Sequence, residues 1–471
     1  MALSRTPLSL YVHWPYCSFL CKFCAFSKTR ITKETDNKRT TMALLRELET
    51  TLAPHKDKYL RSIYFGGGTP SLAQPEHIGR IIEHASKLVP LAADAEVTLE
   101  SNPTMAEVEK MREFRAAGVN RYSIGVQTLN DRVLREMGRL HTGAEGLAAI
   151  DRAREIFAGR VTFDMMFGFA GQTPDEWSKE LNAALDHADQ HVSIYQLTVE
   201  PGTPLHRDHL ARRTRLPGDE MQAEMYERTV EICRNRGFQH YEVSSYARSF
   251  EARGKHNTGY WLGHQYIGIG PSAHSRFVDP VSGKRVREVR IPDAARWMAT
   301  CEMDGQGTAK KDEVDEDEVK QEMVVFGLRM LDGIDNRRFS DVSGGRMLED
   351  YLCMERVKEY VEKGYLVWNT GGRDRLSHCL APTELGLQNM VAALNSELLV
   401  RSLARKMQYA LQRHTQDFKH KQIATLARLV FLYARYQKPI RRSIVVLICI
   451  ALIERVHKMA RLMTSQRTHN K

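Results

Sequence analysis

The feature that most restricts the fold of this chain is the alternation of short β-rich runs with helical segments in its first half. The predicted strands are Leu8–His13, Ser62–Phe65, Glu96–Glu100, Arg121–Gln127, Val161–Gly168 and His191–Val199. The predicted helices between them include Met42–Leu52, Glu76–Val89, Ala106–Ala117 and Asp175–Ala188. The last of these has a helix start in Thr173-Pro174-Asp175-Glu176, with Thr173 as the capping residue. This alternation is typical of a parallel sheet covered by helices. Six such units are too few for a closed eight-stranded barrel, so we predict an α/β fold with a partial (β/α)6 barrel and ligands at the C-terminal ends of its strands.

Three cysteines follow the first predicted strand. Cys17, Cys21 and Cys24 are spaced C-x3-C-x2-C, whereas the other cysteines are scattered along the chain. Three thiolates can hold three irons of a [4Fe–4S] cluster and leave the fourth iron open to a small molecule. The alternatives are a zinc site with a distant fourth ligand and three thiols without a ligand. We favour the cluster.

Small and polar residues lie at or near the ends of the next predicted strands. The run Gly66–Pro70 has three glycines, which let backbone groups approach a ligand, although a glycine run alone is a weak signal. Glu100, Gln127 and Asp164 lie on neighbouring strands, and Arg139 could pair with a carboxylate. We therefore predict one ligand-binding mouth near the cluster loop, and we expect the glycine run and the cluster loop to be separate structures.

The remaining sequence suggests three further parts. After a barrel over residues 1–240, we predict a strand-rich region over 241–310 and a small winged-helix-like module over 311–400. In this module the predicted helices are Gln321–Asp332, Arg346–Lys363 and Thr383–Leu398, and the predicted wing strands are Gly364–Trp368 and Arg375–Leu380. Residues 401–471 form a basic extension with 16 Lys and Arg against 2 acids, so the rest of the chain has a net charge of −4. Nucleic-acid binding is therefore not indicated for the body of the protein. The apolar run Ile444–Ile453 is too short to span a bilayer. Two interpretations of the extension remain: a helix that contacts a membrane surface, or a segment without fixed structure.

The stretch Tyr11–Cys17, together with the cluster cysteines, resembles the radical S-adenosylmethionine proteins of the oxygen-independent coproporphyrinogen oxidase-like family. The resemblance extends from about Leu8 to about Leu398. It implies that the amine and carboxylate of S-adenosylmethionine bind the open iron. It also implies that the S-adenosylmethionine site is lined by Tyr11, Phe23, Gly67, Gly68, Thr69, Glu100, Gln127, Arg139 and Asp164.

Two features separate the chain from the porphyrinogen-oxidising branch of that family, and a third relates it to the heme chaperone branch. The former branch has a further cysteine two residues after the third, where this chain has Phe26, and a longer segment before the first strand. Residues 256–261 read H-N-T-G-Y-W, similar to the H-N-x-x-Y-W motif of the heme chaperone branch. By itself, His256 would be interpreted as a structural histidine. The resemblance instead implies heme contact by His256, with Tyr260 and Trp261 beside it.

We therefore expect a heme chaperone that carries a [4Fe–4S] cluster and S-adenosylmethionine, and that requires an acceptor protein for heme and an electron donor for the cluster. The alternatives are a radical enzyme acting on a porphyrinogen or other small molecule, and a non-catalytic interaction protein. The resemblance to an animal branch implies a mitochondrial location. Cytoplasm is the alternative, because few residues precede the first predicted strand to form a presequence.

Overall fold

All six predicted strands are present in the computed structural model, which describes residues 6–33, 35–370 and 375–388 of the chain. The predicted basic extension 401–471, including Ile444–Ile453, lies outside the described residues. The strands in the described ranges are β1 Thr6–Trp14, β2 Tyr16–Cys17, β3 Thr29–Arg30, β4 Lys58–Gly67, β5 Leu91–Ser101, β6 Arg121–Gln127, β7 Val161–Phe167, β8 His191–Gln196, β9 Gln239–Glu242, β10 Ser245–Ala247, β11 Gln265–Ile269, β12 His274–Val278, β13 Arg285–Arg290, β14 Thr308–Glu313, β15 Ile334–Asp335, β16 Leu366–Asn369 and β17 Cys379–Pro382.

The six predicted strands form the centre of a larger sheet than the sequence indicated. The order of the main sheet is β14-β13-β12-β11-β1-β4-β5-β6-β7-β8-β10-β9. Neighbours from β1 to β8 in this order are parallel, and β11 adds a further parallel strand beside β1. Antiparallel strands extend both edges. The strand-rich region predicted over 241–310 therefore contributes to the same sheet as the barrel.

Helices connect the strands of this sheet, and several of them contribute to the hydrophobic core on its outer face. In the described ranges they are α1 Asn37–Leu52, α2 Pro75–Leu88, α3 Met105–Val108, α4 Met111–Ala116, α5 Asp131–Glu136, α6 Gly143–Ile156, α7 Pro174–Asp186, α8 Pro204–Leu210, α9 Asp219–Asn235, α10 Lys255–Trp261, α11 Ala294–Asp304, α12 Glu316–Gly327, α13 Asn336–Ser343, α14 Leu348–Tyr351 and α15 Met354–Glu362. None of them combines the length and apolar character that crossing a membrane requires.

Local sequence explains where α7 begins, whereas a tertiary contact accompanies the division of one predicted helix into α3 and α4. Helix α7 begins at a capping box in which the Thr173 hydroxyl accepts from the Glu176 amide. The single helix predicted over Ala106–Ala117 is wrong, because α3 and α4 are separate. The buried Glu107 carboxylate of α3 accepts from the Asn102 amide at 2.8 Å, which attaches this first turn to the end of β5.

The last described elements form a smaller sheet with its own hydrophobic core. Strands β15, β17 and β16 make an antiparallel sheet in that order. The core residues of this part are Val314, Val319, Met323, Ile334, Phe339, Leu348, Val357 and Leu380. The helix predicted over Arg346–Lys363 is divided into α14 and α15, and α13 was not predicted. Most of the predicted helix Thr383–Leu398 lies outside the described residues, and the winged-helix classification stays a prediction.

Candidate functional site

The parallel strands differ on their two faces, since successive side chains of a strand point to opposite sides of a sheet. The outer face of β1 is apolar and packs in the main core through Leu8, Leu10, Val12 and Trp14. The alternating residues of β1 on the inner face are Ser9, Tyr11 and His13. The same alternation on the neighbouring strands gives an inner face with Ser62, Tyr64, Glu96, Glu100, Arg121, Gln127, Asp164 and Ser193. The inner face is therefore polar and aromatic, which suits ligand binding.

The three cysteines lie on one loop at the C-terminal end of β1. Cys17 ends β2 and is buried, whereas Cys21 and Cys24 are partly exposed. The Lys22 amide donates to the Met137 carbonyl at 3.1 Å, and the Lys22 carbonyl accepts from the Leu205 amide at 3.0 Å. These contacts hold the loop against the segments that follow β6 and β8.

Two of the cysteine sulfurs accept a hydrogen bond from a side chain. The Thr69 hydroxyl donates to Cys17 Sγ at 3.6 Å, and Arg139 Nη1 donates to Cys21 Sγ at 3.6 Å. Burial raises the pKa of the Cys17 thiol to about 11, while the Thr69 hydroxyl and the Lys28 charge act in the opposite direction. Donors and positive charge of this kind stabilise thiolates that bind metal.

The loop has the donor chemistry of an iron–sulfur site. Every cysteine in the described part of the chain is a free thiol. Within the same ranges, no three His, Cys, Asp or Glu side chains form a group that would hold a single metal ion. The thiolates of a cubane cluster bind different irons, so they need not converge on one point. The three cysteines and their donors thus fit a [4Fe–4S] cluster.

The glycine run is packed against β1 and is joined to the cluster loop. Gly67 has a φ of +98°, and a Cβ there would lie 2.5 Å from the His13 ring. A Cβ on Gly68 would lie 2.6 Å from the carbonyl oxygens of Trp14 and Tyr16. The Thr69 amide also donates to the Tyr16 carbonyl at 2.8 Å. The expectation that this run and the cluster loop are separate structures is therefore wrong, because the run binds both Trp14 at the end of β1 and Tyr16 directly before the first cysteine.

The predicted mouth residues are brought together on the inner face. Glu100 accepts from the Tyr64 hydroxyl at 2.7 Å and from the Gly67 amide. Arg139 donates to the Gly125 carbonyl, and a Cβ on Gly125 would lie within 3.4 Å of Arg139 Nη2 and 2.8 Å of Gln127 Nε2. Asp164 interacts electrostatically with both Glu100 and Arg139, so the predicted residues form one polar group on the inner face.

Two carboxyl groups in this mouth have perturbed acidity. Burial raises the pKa of Glu100. Burial, followed by the negative charge of Glu100, raises the pKa of Asp164 to about 7, against opposing effects of Ser193 and Arg139. Since a nearby cation would favour ionisation of both groups, the mouth is suited to a positively charged ligand.

The two phenylalanines of the cluster loop have different environments. Phe23 packs against an apolar cluster made of Val133, Met137, Met166, Phe169, Leu197 and Leu205. Phe26 is 68% exposed. Phe23 therefore anchors the loop, and its predicted contact with S-adenosylmethionine stays a prediction.

The H-N-x-x-Y-W motif lies on α10, next to the middle of β4. His256 is 1% exposed, and burial lowers the pKa of its imidazole to about 3. The Ser62 hydroxyl donates to Ser9 Oγ at 2.9 Å, so it accepts from His256 Nδ1–H at 2.9 Å. The Tyr260 hydroxyl then donates to His256 Nε2 at 2.7 Å. Both ring nitrogens of this neutral histidine thus have protein partners.

Trp261 lies at the end of α10 and contacts the C-terminal elements. The Arg329 guanidinium lies 4.3 Å from the centroid of its ring, and Phe326 packs edge-on at 6.0 Å. Arg338 Nη2 donates to the Trp261 carbonyl at 3.1 Å. Trp261 thereby connects the motif helix to α12 and α13, and its predicted heme contact stays a prediction.

Sequence reasoning missed Tyr64 and the role of His13. Tyr64 stacks on His256 with a centroid distance of 4.9 Å, and the Tyr11 hydroxyl donates to His13 Nδ1 at 3.3 Å. Both residues follow the period-two alternation of a strand. Tyr64 is two positions from Ser62 and from Gly66 on β4, and His13 is two positions from Tyr11 on β1. That alternation was the available signal, since it marks every second residue of these strands as inward-facing.

Comparison with known proteins identifies relatives over most of the described chain. The model of the radical SAM superfamily matches residues 11–184. Radical S-adenosyl methionine domain-containing protein 1, mitochondrial, of Danio rerio is 42% identical over 335 residues, which are 70% of this chain and 74% of that protein. Heme chaperone HemW of Bacillus subtilis is 32% identical over 371 residues, which are 79% of this chain and 95% of that protein. Coproporphyrinogen III oxidase (HemN) of Escherichia coli has a similar fold, with a TM-score of 0.67 at 21% identity over 84% of this chain and 89% of that structure.

Proposed function

The chain belongs to the radical SAM superfamily, in the group that contains radical S-adenosyl methionine domain-containing protein 1 and heme chaperone HemW, and we propose that it binds heme and transfers it to an acceptor protein. The observation that carries this proposal is the similarity to a bacterial heme chaperone over nearly all of that protein. Phe26, in place of the further cysteine of the porphyrinogen-oxidising branch, also supports it.

Membership of the superfamily implies a [4Fe–4S] cluster and S-adenosylmethionine. We propose that Cys17, Cys21 and Cys24 hold the cluster, with Thr69 and Arg139 donating to sulfur atoms. When bound, such a cluster supplies the electron that can break a carbon–sulfur bond of the sulfonium. The residues of this chain bind and orient the groups around it, and an electron-donor protein would reduce the cluster.

The charges of the mouth are complementary to those of S-adenosylmethionine, which carries a sulfonium, an ammonium and a carboxylate. Glu100 and Asp164 supply two carboxyl groups for the cationic part. Arg139 is buried, and its Nε has no hydrogen-bond partner within the described residues. Since an unpaired buried N–H is costly, a ligand carboxylate at this position would stabilise the arrangement. Tyr11, Phe23, Gly67, Gly68, Thr69 and Gln127 complete the proposed site.

We further propose that His256 ligates heme iron through Nε2. The hydrogen bond from Nδ1 to Ser62 leaves the Nε2 lone pair directed to Tyr260, and the neutral ring is the form that binds iron. Iron ligation requires the Tyr260 hydroxyl to be displaced and α10 to rearrange, because His256 is buried. Tyr260 and Trp261 would then adjoin the porphyrin.

Two variants test this assignment. His256→Ala should change the axial-ligand signature in the Soret region or reduce binding well below one heme per chain, with iron–sulfur content unchanged. Tyr260→Phe is the matched variant, since it removes only the hydroxyl that competes for Nε2, and it should bind heme at least as tightly as the parent. If His256→Ala equals the parent in spectrum, stoichiometry and heme transfer to an acceptor, His256 is not the ligand.

The alternative is a radical enzyme that acts on a porphyrinogen. Incubation of the reduced protein with S-adenosylmethionine and coproporphyrinogen discriminates the two, because only the enzyme would form a decarboxylated tetrapyrrole. Relatives named mitochondrial support a mitochondrial location as part of the proposal. Imaging of the tagged full-length protein tests it, and confinement to the cytosol would contradict it.

A further inference from the structure

Tyr64 lies between the motif helix and the ligand mouth. Its ring stacks on His256, with centroids 4.9 Å apart and planes at 29°, and its hydroxyl donates to Glu100 Oε1 at 2.7 Å. Tyr64 therefore contacts one residue of each proposed binding site. Tyr11, which also belongs to the proposed S-adenosylmethionine site, lies farther from His256, with ring centroids 6.3 Å apart.

The His256 side of this bridge is held firmly. The hydrogen bond that Nδ1 donates to the Ser62 hydroxyl and the one that Nε2 accepts from the Tyr260 hydroxyl hold both nitrogens of the ring. The backbone amide of His256 also donates to Glu96 Oε1 at 3.1 Å. Because the imidazole cannot rotate without breaking these bonds, it provides a fixed surface against which the Tyr64 ring packs.

The Glu100 side of the bridge is tightly packed. A Cβ on Gly66 would lie 2.9 Å from Tyr64 Cε1 and 3.1 Å from Glu100 Oε2, so these two side chains meet directly above the glycine backbone. Glu100 also accepts from the Gly67 amide. The direction of the Glu100 carboxyl thus depends on two donors. In the described part of the chain, these are the side chain of Tyr64 and the backbone amide of Gly67.

We propose that Tyr64 is a positioning residue that couples His256 to the binding of S-adenosylmethionine through Glu100. This inference rests on the proposed function, which assigns Glu100 to the S-adenosylmethionine site and His256 to heme. When His256 leaves its place, the Tyr64 ring loses its stacking partner and the Glu100 carboxyl loses a fixed donor. Since coupling between two ligands is reciprocal, heme on His256 weakens binding of S-adenosylmethionine, and S-adenosylmethionine favours release of heme.

The test is a double-mutant cycle on full-length protein that carries its cluster and no heme. The variants are Tyr64→Phe, which keeps the ring and removes the hydroxyl, His256→Ala, which removes the stacking surface, and the two combined. Equilibrium dialysis with labelled S-adenosylmethionine measures affinity, and iron analysis verifies cluster content. The affinity of each single variant for S-adenosylmethionine should fall at least about fivefold. The affinity of the double variant should fall no further than that of the single variant with the larger loss. Tyr266→Phe is the control, because the Tyr266 ring packs on Tyr260 with centroids 4.6 Å apart, while its hydroxyl bonds to Arg276 instead of Glu100.

The outcomes separate the coupling from the proposed function. Additive losses in the double variant, or affinity equal to the parent in His256→Ala, would overturn the coupling. Failure of the parent itself to bind S-adenosylmethionine would overturn the cofactor assignment instead. A further titration uses heme-loaded protein. Loading should weaken S-adenosylmethionine binding in the parent and have no such effect in Tyr64→Phe, and an equal effect in both proteins would refute the role of Tyr64.

Discussion

Replacement of Arg121 by methionine tests the buried network that supports the motif helix. Arg121 is 3% exposed and donates to Glu96 Oε2 at 3.3 Å, to Thr162 Oγ1 at 2.9 Å and to the Ala252 carbonyl at 3.1 Å. Glu96 is 1% exposed and also accepts from the amides of the first residues of α10. Arg121→Met keeps most of the apolar stem and removes every one of these donors.

The expected loss in the free energy of unfolding follows from the Glu96 carboxylate, which stays buried after Arg121 is replaced. Removing one partner of a buried ion pair costs about 3–5 kcal/mol, because the other charge is left without compensation. Two backbone amides still donate to Glu96, whereas the Ala252 carbonyl loses its Arg121 donor. We therefore expect the free energy of unfolding of Arg121→Met to fall by about 3–5 kcal/mol.

Urea unfolding followed by circular dichroism, under anaerobic conditions, measures this difference. Adding Glu96→Gln to Arg121→Met should recover part of the loss, since it removes the uncompensated buried charge while its single amide oxygen still accepts from one of the two backbone amides. Lys87→Met is the control, because its ion pair with Glu83 is exposed and such pairs contribute about 1 kcal/mol or less. A loss below about 1 kcal/mol in Arg121→Met, or a double variant as unstable as the single one, would refute the reasoning.

Three further predictions concern the cluster and the mouth. Cys21→Ala should lose the roughly four irons per chain expected of a cubane, whereas Cys233→Ala should keep them, and iron analysis under anaerobic conditions decides between these outcomes. Thr69→Val removes a donor to Cys17 Sγ, and because such bonds stabilise the more negative reduced cluster, the midpoint potential should fall by roughly 20–60 mV. A redox titration followed by paramagnetic resonance measures this, and an unchanged potential contradicts it. Burial raises the pKa of Asp164 to about 7, so this group becomes anionic as the pH rises through that value. Affinity for the cationic S-adenosylmethionine should therefore increase between about pH 6 and 8 in the parent and stay constant in Asp164→Asn, as dialysis at each pH would measure.

Local sequence was sufficient to predict the central elements of the fold and to propose the cluster loop. The strand Arg121–Gln127 has the same bounds in prediction and structure, and α7 begins at its predicted capping residue. Period-two alternation and capping depend on residues that are neighbours along the chain, so their signals are complete in the sequence. The spacing of the three cysteines is likewise a local property, and it required no knowledge of the sheet.

The tertiary structure alone decided which distant residues meet. Ser62 and His256 share a hydrogen bond although they are 194 positions apart. Tyr64 reaches both His256 and Glu100 because β4 and β5 are neighbours and α10 packs on the inner face. The place of β11 as a seventh parallel strand beside β1 was not predicted for the same reason, since it depends on the order of strands in the sheet. Alternation along a strand records which side chains point inward, whereas contacts between them depend on sheet order and helix packing, which no local pattern encodes.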